Sequence, residues 1–386
     1  MNAPSLQPLR AGVIGLGIGR HHARAYLAAE NVELAALCDV NAARLEQVGA
    51  LFPGAARFTD YREMLAQVDL DVVSVCVPNA LHPEVAIAAL EAGRHVACEK
   101  PLAADLAGAE AIAEAAARAP GKFTVCYDKR YRADSRWLRQ AVEQGTLGTI
   151  YQVEAAWTRE TGIPGGWFSQ RVLAGGGPLI DLGVHMLDLA LWVLGFPAVE
   201  TVSGITRTVF GPRGRKMPGW EKSGGATSYE VEDGAVGLLR LEGGVPLLLE
   251  ASWADHRRPG EDDMYLRVAG DKAAAVMHIR NYTHEDTLRL YTEIGGVAVE
   301  AAPNLEPANP AGHAALLLDF VRAIRADDAP PAPAAEGLVT SRVLDAFYRS
   351  ALAGRELALR EAEPASAVMS PGAAQAARQP PPQTAR

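Results

Sequence analysis

The first third of the chain alternates short apolar runs with helical segments, and this alternation constrains the fold more than any other feature. Six β-rich runs lie between about Arg10 and Tyr131, from AGVIGLG and VELAALCDV to FTVCYDKRY. Helical stretches such as HHARAYLAAE and HPEVAIAALEAG separate them. Strands without polar alternation, each followed by a helix, indicate a parallel sheet that is covered on both faces. Residues 1–131 are therefore predicted to form a doubly wound α/β domain.

The pattern changes after a linking helix, SRWLRQAVEQG. A strand, TIYQVEAAWTRE, and a long helix follow, and then pairs of apolar runs joined by Gly243-Gly244, Gly270-Asp271 and Gly295-Gly296. Such dipeptides between apolar runs are hairpin signals. Residues 132–360 are predicted to form an α+β domain on a mainly antiparallel sheet, with C-terminal helices that pack back on the body. The Ala/Pro/Gln-rich tail, residues 361–386, has few large apolar groups and is expected to be disordered.

Composition favours a small-molecule partner. The 386 residues are 49% hydrophobic, which suffices for two cores, and the net charge is −9 with no Lys/Arg run. This argues against binding to nucleic acid or to an anionic membrane. With no signal-peptide pattern and no uncharged stretch of about 18 residues, a cytoplasmic location is expected. Four cysteines lie in apolar runs and are predicted to be reduced core residues: Cys38, Cys76, Cys98 and Cys126.

A glycine-rich turn, VIGLGIGRHHA, joins the first strand to the first helix. Such a turn lets backbone approach a pyrophosphate at a helix N-terminus, so this segment is the expected dinucleotide site, formed by Gly15, Gly17, Ile18 and Gly19. Asp39 ends the second strand, where an acid can hydrogen-bond ribose hydroxyls and favours NAD over NADP. A plain tight turn is the alternative. Arg44 is expected to be a solvated helix residue, although a cation there could support NADP.

An otherwise apolar helix in the middle of the chain, GGGPLIDLGVHMLD, carries Asp181, His185 and Asp188. At about 100° per residue these side chains lie within about 60° of one another around the axis. Polar groups there need partners or a chemical role. One interpretation is a polar face that meets a substrate across the domain junction, with the glycines allowing close approach of a cofactor. The alternative is a surface pair of Asp181 and His185, with Asp188 solvated or acting as a structural hydrogen-bonding partner.

Several of these stretches together resemble one family. GLGIGRHHA, CDV, CVPNALHPEVAIAALEAGRHVACEKPLA and GGGPLIDLGVHMLD are similar to the Gfo/Idh/MocA oxidoreductases, the group of glucose-fructose oxidoreductase and inositol dehydrogenases. The resemblance extends from Arg10 to about Leu359. It implies a Rossmann domain followed by an open-faced antiparallel sheet domain, with the nicotinamide and the active site at their junction.

The resemblance also implies roles for individual residues. It assigns a catalytic set of Lys100, from the EKP motif, Asp181 and His185. The residues expected to line the nicotinamide end of the cofactor site are Asn79, His82, Glu99, Lys100 and Trp167. Phe168 stands where many members have Arg, so a polar contact near the nicotinamide is not expected here. From the residues alone, His82 before Pro83 could instead cap a helix, and Trp167 could anchor a loop.

Other candidates follow from position in the predicted fold. Arg130 follows the sixth strand, at the edge where open α/β sheets bind ligands, although a salt-bridged surface arginine fits the same pattern. Arg159 lies in the segment WTRETGIPGGWF, residues 157–168, which crosses toward the polar helix and is expected to form a substrate-facing loop. His21 and His22 follow the glycine turn and are expected on the surface of the first helix.

The chemistry of these residues suits hydride transfer. Oxidation of a secondary alcohol needs a base that is effective near neutrality and a group that stabilises the developing alkoxide. His185 suits the first role because the unperturbed pKa of histidine is about 6.5, and Lys100 suits the second. Asp181, one helical turn before His185, can hold the substrate hydroxyl or the imidazole. The predicted substrate-binding residues are Lys100, Arg130, Arg159, Asp181 and His185.

The sequence therefore predicts an NAD(P)-dependent oxidoreductase that acts on a secondary hydroxyl or ketone of a sugar, sugar derivative or cyclic polyol. No metal is expected, because hydride transfer needs none and no metal-ligand motif is present. Two alternatives remain open: an NAD-dependent redox-assisted glycosidase and a non-enzymatic dinucleotide or sugar sensor. The second sheet has one face without predicted helices, so a homodimer or homotetramer packed through that face is expected.

Overall fold

The first domain is built on a six-stranded parallel sheet. The computed structural model describes residues 7–213 and 229–359. The strands are β1 Leu9–Ile14, β2 Val32–Cys38, β3 Ala56–Phe58, β4 Val72–Val75, β5 His95–Cys98 and β6 Phe123–Val125, in the order β3-β2-β1-β4-β5-β6. The helices of this domain are α1 Gly19–Ala28, α2 Ala42–Gly49, α3 Tyr61–Gln67, α4 His82–Glu91 and α5 Leu106–Arg118. This is the predicted doubly wound arrangement, with the order reversing between β1 and β4.

The second domain is built on a nine-stranded sheet. After α6, Ala133–Glu143, its strands are β7 Ile150–Arg159, β8 Val199–Arg207, β9 Gly234–Leu241, β10 Pro246–Ser252, β11 Asp262–Gly270, β12 Ala273–Arg280, β13 Leu288–Ile294, β14 Val297–Ala301 and β15 Leu357–Ala358. Their order is β14-β13-β12-β11-β7-β10-β9-β8-β15. Every pair is antiparallel except β7 with β10. The prediction of a mainly antiparallel sheet is confirmed.

The three glycine hairpins predicted from the sequence all form. Gly295 and Gly296 have φ of 61° and 80° between the paired residues Ile294 and Val297, and left-handed conformation at both positions makes glycine the favoured residue. Gly243 and Gly244 have φ of 76° and 78° between β9 and β10. In the β11–β12 hairpin the turn lies one residue later than expected, because Gly270 still belongs to β11.

The polar helix in the middle of the chain is buried on all sides. It follows the short helix α7, Arg171–Ala174, and begins with a π-helical turn, Leu179–Gly183, that continues into α8, Val184–Val193. Among the described residues, the stretch Arg171–Val193 has the length and hydropathy of a membrane span, but 78% of its most apolar window is buried inside the protein. The helix is therefore the core of the second domain, and the polar side chains on it are enclosed rather than surface pairs.

The last two helices return to the first domain. Helix α9, Gly312–Ala326, packs on α1, and helix α10, Ala334–Ala353, packs on α5 and on β8. Within the described residues, α9 and α10 together thus contact both domains. The tail expected to be disordered, residues 361–386, lies outside them.

Candidate active site

The site lies where the carboxyl ends of β5 and β6 meet the polar helix. Lys100 follows β5 by two residues, and Asp128 follows β6 by three. Asp181 and His185 approach from the π-turn and from α8. Ligands of open α/β sheets bind outside the carboxyl ends of the strands, so the second domain places its helix over the binding edge of the first. A π-turn also widens the helix locally, which is common at functional sites.

Lys100 and Asp181 form a partly buried ion pair. The Lys100 ammonium donates to Asp181 Oδ1 at 3.0 Å and to the Asp181 backbone oxygen at 2.9 Å. The indole Nε1 of Trp253 donates to the other carboxylate oxygen at 2.9 Å. Burial alone would raise the pKa of Asp181, but the Lys100 ammonium and then the Arg159 guanidinium hold it below its usual value. Asp181 is therefore a carboxylate that fixes the position of the lysine.

His185 is held neutral by its surroundings. The ring is 7% exposed and its centroid lies 5.4 Å from that of the Trp157 indole. Burial, and next the Lys100 ammonium, lower the pKa of His185 well below its usual 6.5. Its Nδ1 faces Asp128 Oδ1 at 3.6 Å. At neutral pH the imidazole is therefore uncharged and able to accept a proton.

A chain of buried histidines and carboxylates continues behind the site. Glu99 Oε1 lies 3.0 Å from Nε2 of His313 and 2.9 Å from Nε2 of His22, and His22 Nδ1 lies 2.9 Å from Ser74 Oγ. The prediction that His22 lies on the helix surface is wrong, because its side chain is fully buried. Burial opposes ionisation of Glu99, but its two histidine partners hold its pKa well below the usual range.

These buried groups bear on the metal prediction. Cys126 brings a third potential ligand atom within 4.8 Å of those of His22 and Glu99. Both ring nitrogens of His22 are already engaged by protein groups. All four cysteines are free and buried, as expected. That the reaction needs no metal stays a prediction.

The glycine-rich turn has the shape that a dinucleotide needs. A Cβ at Gly15, where φ is 87°, would lie 2.3 Å from the backbone oxygen of Cys76, and a Cβ at Gly19 would lie 2.8 Å from Val13. These two glycines are required by the packing of the turn itself. A Cβ at Gly17 would meet nothing within 4 Å, so the space above it is open for a phosphate at the start of α1. Ile18, 41% exposed, is the residue that precedes this helix.

Asp39, the residue expected to contact the ribose, directly follows β2 and is held by backbone groups. Its carboxylate accepts from the backbone N–H groups of Leu16 and Asn41 at 2.8 Å each, which ties it to the glycine-rich turn. Arg44, half-exposed, lies 3.3 Å away and is paired with Asp39 rather than free in solvent. A carboxylate fixed here disfavours a 2′-phosphate by charge repulsion, which agrees with a preference for NAD.

Comparison with known proteins identifies the family. Residues 9–127 match the model of the Gfo/Idh/MocA oxidoreductase family with an NAD-binding Rossmann fold, and residues 135–276 match the model of a Gfo/Idh/MocA C-terminal domain. The chain belongs to the Gfo/Idh/MocA oxidoreductase family. This confirms the family, the fold class and the NAD-binding domain predicted from the sequence.

Three relatives show how far the similarity extends. D-glucoside 3-dehydrogenase of Escherichia coli K12 is 33% identical over 361 residues, which cover 93% of this chain and 99% of that protein. The structure of an oxidoreductase domain protein from Kribbella flavida is 28% identical with a TM-score of 0.79, and the match covers 92% of this chain and 100% of that one. Levoglucosan dehydrogenase in complex with NADH shares the fold, with a TM-score of 0.77 at 23% identity over 92% of this chain and 99% of that one.

In this family member, two residues expected along the nicotinamide have other partners. His82 is fully buried, and its ring nitrogens lie 2.9 Å from the backbone oxygen of Pro101 and 3.0 Å from that of Val77. Asn79 donates to the backbone oxygen of Ala174 at 2.8 Å. His82 therefore supports the segment after Lys100, and Asn79 supports the end of α7. Trp167 stacks on Phe168 with ring centroids 4.0 Å apart.

Other protein atoms lie where a Cβ would stand at each of the three glycines before the polar helix. A Cβ at Gly175 would lie 2.1 Å from the backbone oxygen of Ala104, one at Gly176 2.0 Å from the Tyr348 hydroxyl, and one at Gly177 2.0 Å from the backbone oxygen of Glu232. The protein thus fills the Cβ position of each glycine, and that these glycines also allow close approach of the cofactor stays a prediction. Their role is to let three other segments seat the helix.

The two candidate arginines differ in their availability to a substrate. Arg130 is 3% exposed and is enclosed by Asp188, with Nε at 2.9 Å from its Oδ2, and by Glu336 at 2.6 Å. This assigns Arg130 and Asp188 to a buried structural pair and removes Arg130 from the cleft. Arg159 donates to Asp262 at 2.9 Å and to the Tyr282 hydroxyl at 2.7 Å, and its charge helps to hold the pKa of Asp181 below its usual value.

Four functional positions were not found from the sequence: Asp128, His313, Trp253 and Glu232. Asp128 could have been identified from the sequence, because it precedes Arg130 in YDKRY at the carboxyl end of a predicted strand. Glu232 Oε1 accepts from the Gly177 and Leu179 backbone at 2.9 and 3.3 Å and so caps the start of the polar helix. No local pattern distinguishes His313 or Trp253, because each reaches the site from a distant segment.

Proposed function

We propose that this oxidoreductase transfers a hydride between NAD and a secondary hydroxyl of a sugar, sugar derivative or cyclic polyol, with Lys100, Asp181 and His185 as its catalytic residues. The observation that carries the proposal is the convergence of these three side chains at the binding edge of the parallel sheet. The similarity over nearly the full chain to a D-glucoside 3-dehydrogenase supports a glycoside or related pyranose as substrate.

Lys100 is proposed to hold the reacting oxygen. An ammonium has three donors, and two of those of Lys100 are used by the Asp181 side chain and backbone. The third is left for the substrate hydroxyl. Negative charge develops on the oxygen as the hydroxyl loses its proton, until departure of the hydride from carbon leaves a neutral carbonyl, and a fixed cation stabilises the oxygen most strongly while it carries that charge.

His185 is proposed to take the hydroxyl proton. The imidazole is neutral at pH 7 because burial and the Lys100 ammonium depress its pKa. The O–H bond of the substrate breaks and its proton passes to the imidazole. The C–H bond at the same carbon breaks with departure of a hydride. Bound NAD supplies the hydride acceptor. In the reverse direction the imidazolium returns the proton to the carbonyl oxygen.

Gly15, Gly17, Ile18, Gly19 and Asp39 are proposed to hold the pyrophosphate and the ribose. The open space above Gly17 and the fixed Asp39 carboxylate support this assignment. Arg159, together with Tyr282 and the Trp157 ring beside it, is proposed to line the substrate side of the cleft. The carboxylate of Asp262 fixes its guanidinium for that purpose.

The test is nicotinamide absorbance on mixing the protein with NAD or NADP and a panel of methyl glycosides, monosaccharides, inositols and sugar acids. We expect at least one panel member to reduce NAD. We expect this reduction to be lost in His185→Gln while the cofactor still binds. No change in nicotinamide absorbance with any panel member, together with hydrolysis of a chromogenic glycoside, would favour the redox-assisted glycosidase. Neither nicotinamide reduction nor glycoside hydrolysis, together with tight sugar binding, would favour the sensor.

We also propose a homodimer or homotetramer formed through the open face of the nine-stranded sheet. On that face Ile205 lies beside Val236, and Leu238 lies beside Leu248, as paired residues of adjacent strands. These four apolar side chains are 41 to 66% exposed, while the alternate residues of β9 are buried against the core. A contiguous apolar patch of this kind is typical of an interface between subunits.

We propose a cytoplasmic location, which is supported by the four free cysteines. The net charge of −9 supports the proposal that the protein has no nucleic-acid partner.

A further inference from the structure

Two buried polar atoms face each other at the site without a hydrogen-bond partner among the described residues. They are Nδ1 of His185 and Oδ1 of Asp128, 3.6 Å apart. Buried nitrogen and oxygen atoms of this kind nearly always have partners, and leaving both unpaired is costly. A shift of roughly 0.7 Å would bring them to the usual N–H···O distance of about 2.9 Å. Hydrogen bonds in active sites are often long until a substrate is bound.

The surroundings of Asp128 keep it a carboxylate. Burial opposes its ionisation, but the Lys129 ammonium and then the rings of His313 and His185 hold its pKa well below its usual value. Lys129 donates to Oδ2 at 2.9 Å, and His313 Nδ1 lies 3.8 Å from the same oxygen. The occupied oxygen thus faces the cations, and Oδ1 is left for His185.

His313 anchors this arrangement from α9. Burial alone would lower its pKa, but the carboxylates of Glu99 and Asp128 raise it above 6.5, which favours the charged form of the ring. A cation between two buried carboxylates offsets their mutual repulsion. It also ties Asp128 to Glu99, which accepts from the backbone N–H of Lys100 at 3.3 Å.

We propose that Asp128 is the positioning residue for His185: its carboxylate accepts the Nδ1–H of the imidazole and leaves Nε2 as the basic nitrogen for the substrate hydroxyl. This rests on the proposed role of His185 as the base. A carboxylate facing one ring nitrogen selects the tautomer with the proton there and stabilises the imidazolium that forms when the other nitrogen takes a proton. Asp128 itself stays ionised. The proton from the substrate resides on Nε2 and is returned from there.

The decisive experiment follows His185 directly by NMR. Protein labelled at histidine Cε1 is titrated with NAD present, and the His185 resonance is assigned by its loss in His185→Gln. Groups that face this ring are Lys100, Asp128, Lys129 and Asp181. In Asp128→Asn the pKa of His185 is expected to fall, because the carboxylate that favours its charged form is gone, and the Nδ1–H tautomer is no longer selected. This measurement needs no substrate, so it stands even if no panel sugar is oxidised.

Kinetics supply the second readout, with methyl β-D-glucopyranoside as the probe. Asp128→Asn is expected to lower kcat about 100-fold or more with KM within threefold, and to move the acidic limb of the pH profile downward. Asp128→Glu keeps the charge and is expected to recover part of the rate. Asp188→Asn, which removes a buried carboxylate one turn further along α8, is the control and should leave the His185 pKa in place.

Each result decides the proposal. An unchanged pKa and tautomer of His185 in Asp128→Asn, or a kcat within threefold of the wild type, would overturn it. If Asp128→Asn does not fold, Asp128→Glu decides instead: an unmoved His185 resonance with an unmoved kcat overturns the proposal. Full activity of His185→Gln would refute the proposed catalytic role of His185 itself, whatever the Asp128 variants show.

Discussion

The Lys100 ammonium donates to Asp181 through two of its N–H groups and has a third N–H group left. The Asp181 carboxylate that holds it is itself held by the Trp253 indole, so the ammonium is fixed before substrate arrives. Preorganised charge of this kind contributes to catalysis because little reorganisation is needed when negative charge develops. The same ammonium lowers the pKa of His185, which keeps the base uncharged. In the proposed mechanism, Lys100 thus serves both the reacting oxygen and the base.

Replacing this ammonium is the sharpest change at the residue scale. Lys100→Met is expected to lower kcat about 100-fold or more, because the developing alkoxide loses its cation. Stopped-flow or steady-state nicotinamide absorbance measures the effect. Lys122→Met is the matched control: Lys122 is also largely buried, with 18% of its side chain exposed against 16% for Lys100, but it pairs with Asp327 away from the site. A Lys100→Met enzyme with turnover close to that of the control would remove Lys100 from the mechanism.

At the scale of elements, the polar helix depends on the segments that seat it. Its three leading glycines contact the segment after Lys100, helix α10 and the loop before β9. Glu232 caps its start, and the Tyr348 hydroxyl donates to the same carboxylate at 2.8 Å. The carboxyl ends of β5 and β6 and the start of this helix are therefore joined by close packing, which fixes Asp181 and His185 relative to Lys100.

Adding one methyl group at this junction tests that packing. Gly175→Ala is expected to destabilise the fold by roughly 2 to 5 kcal/mol, because φ is 83° and the new Cβ would strike the Ala104 backbone. Gly145→Ala has a similar φ of 70° but meets nothing within 4 Å, so it should cost only about 1 to 2 kcal/mol. Denaturant unfolding of both variants gives the difference. Equal losses would mean that backbone strain alone, and not contact with Ala104, makes glycine necessary.

At the scale of the whole molecule, one sheet serves two purposes. Its inner face buries α8, while its outer face exposes paired apolar side chains on β8, β9 and β10. The first domain shows no comparable exposed pair within its sheet, since both of its faces carry helices. These paired side chains on β8, β9 and β10 are therefore an exposed apolar surface that a second copy would bury in the proposed assembly.

A charge in that patch should separate the subunits. Val236→Glu is expected to convert the oligomer to monomers, because a carboxylate desolvated at the centre of an apolar interface costs several kcal/mol. Light scattering at micromolar concentration measures the mass. Leu352→Glu, at a more exposed apolar position near the end of α10, is the control and should leave the mass unchanged. A monomeric wild-type protein would contradict the proposed assembly outright.

Much of this molecule follows from short stretches of sequence. Six strands, their order of appearance with helices, the glycine turn before α1 and the three hairpins are all encoded by patterns a few residues long. Backbone conformation and side-chain periodicity are local properties, so such patterns are readable without tertiary contacts. The EKP motif and the Asp and His on one helix indicated the proposed catalytic residues through their resemblance to a family, not through any local rule.

Only the tertiary structure decided which side chains meet. Lys100 and Asp181 are 81 residues apart, and the Asp181 carboxylate takes its second partner, Trp253, from 72 residues further on. His22, expected on a surface, is enclosed because α9 returns from the far end of the chain to cover α1. Hydrogen bonds and charge interactions act over a few ångströms in space and carry no signature of separation along the chain. The local fold was therefore determined by the sequence on its own, whereas the partners of each buried polar group were decided by packing.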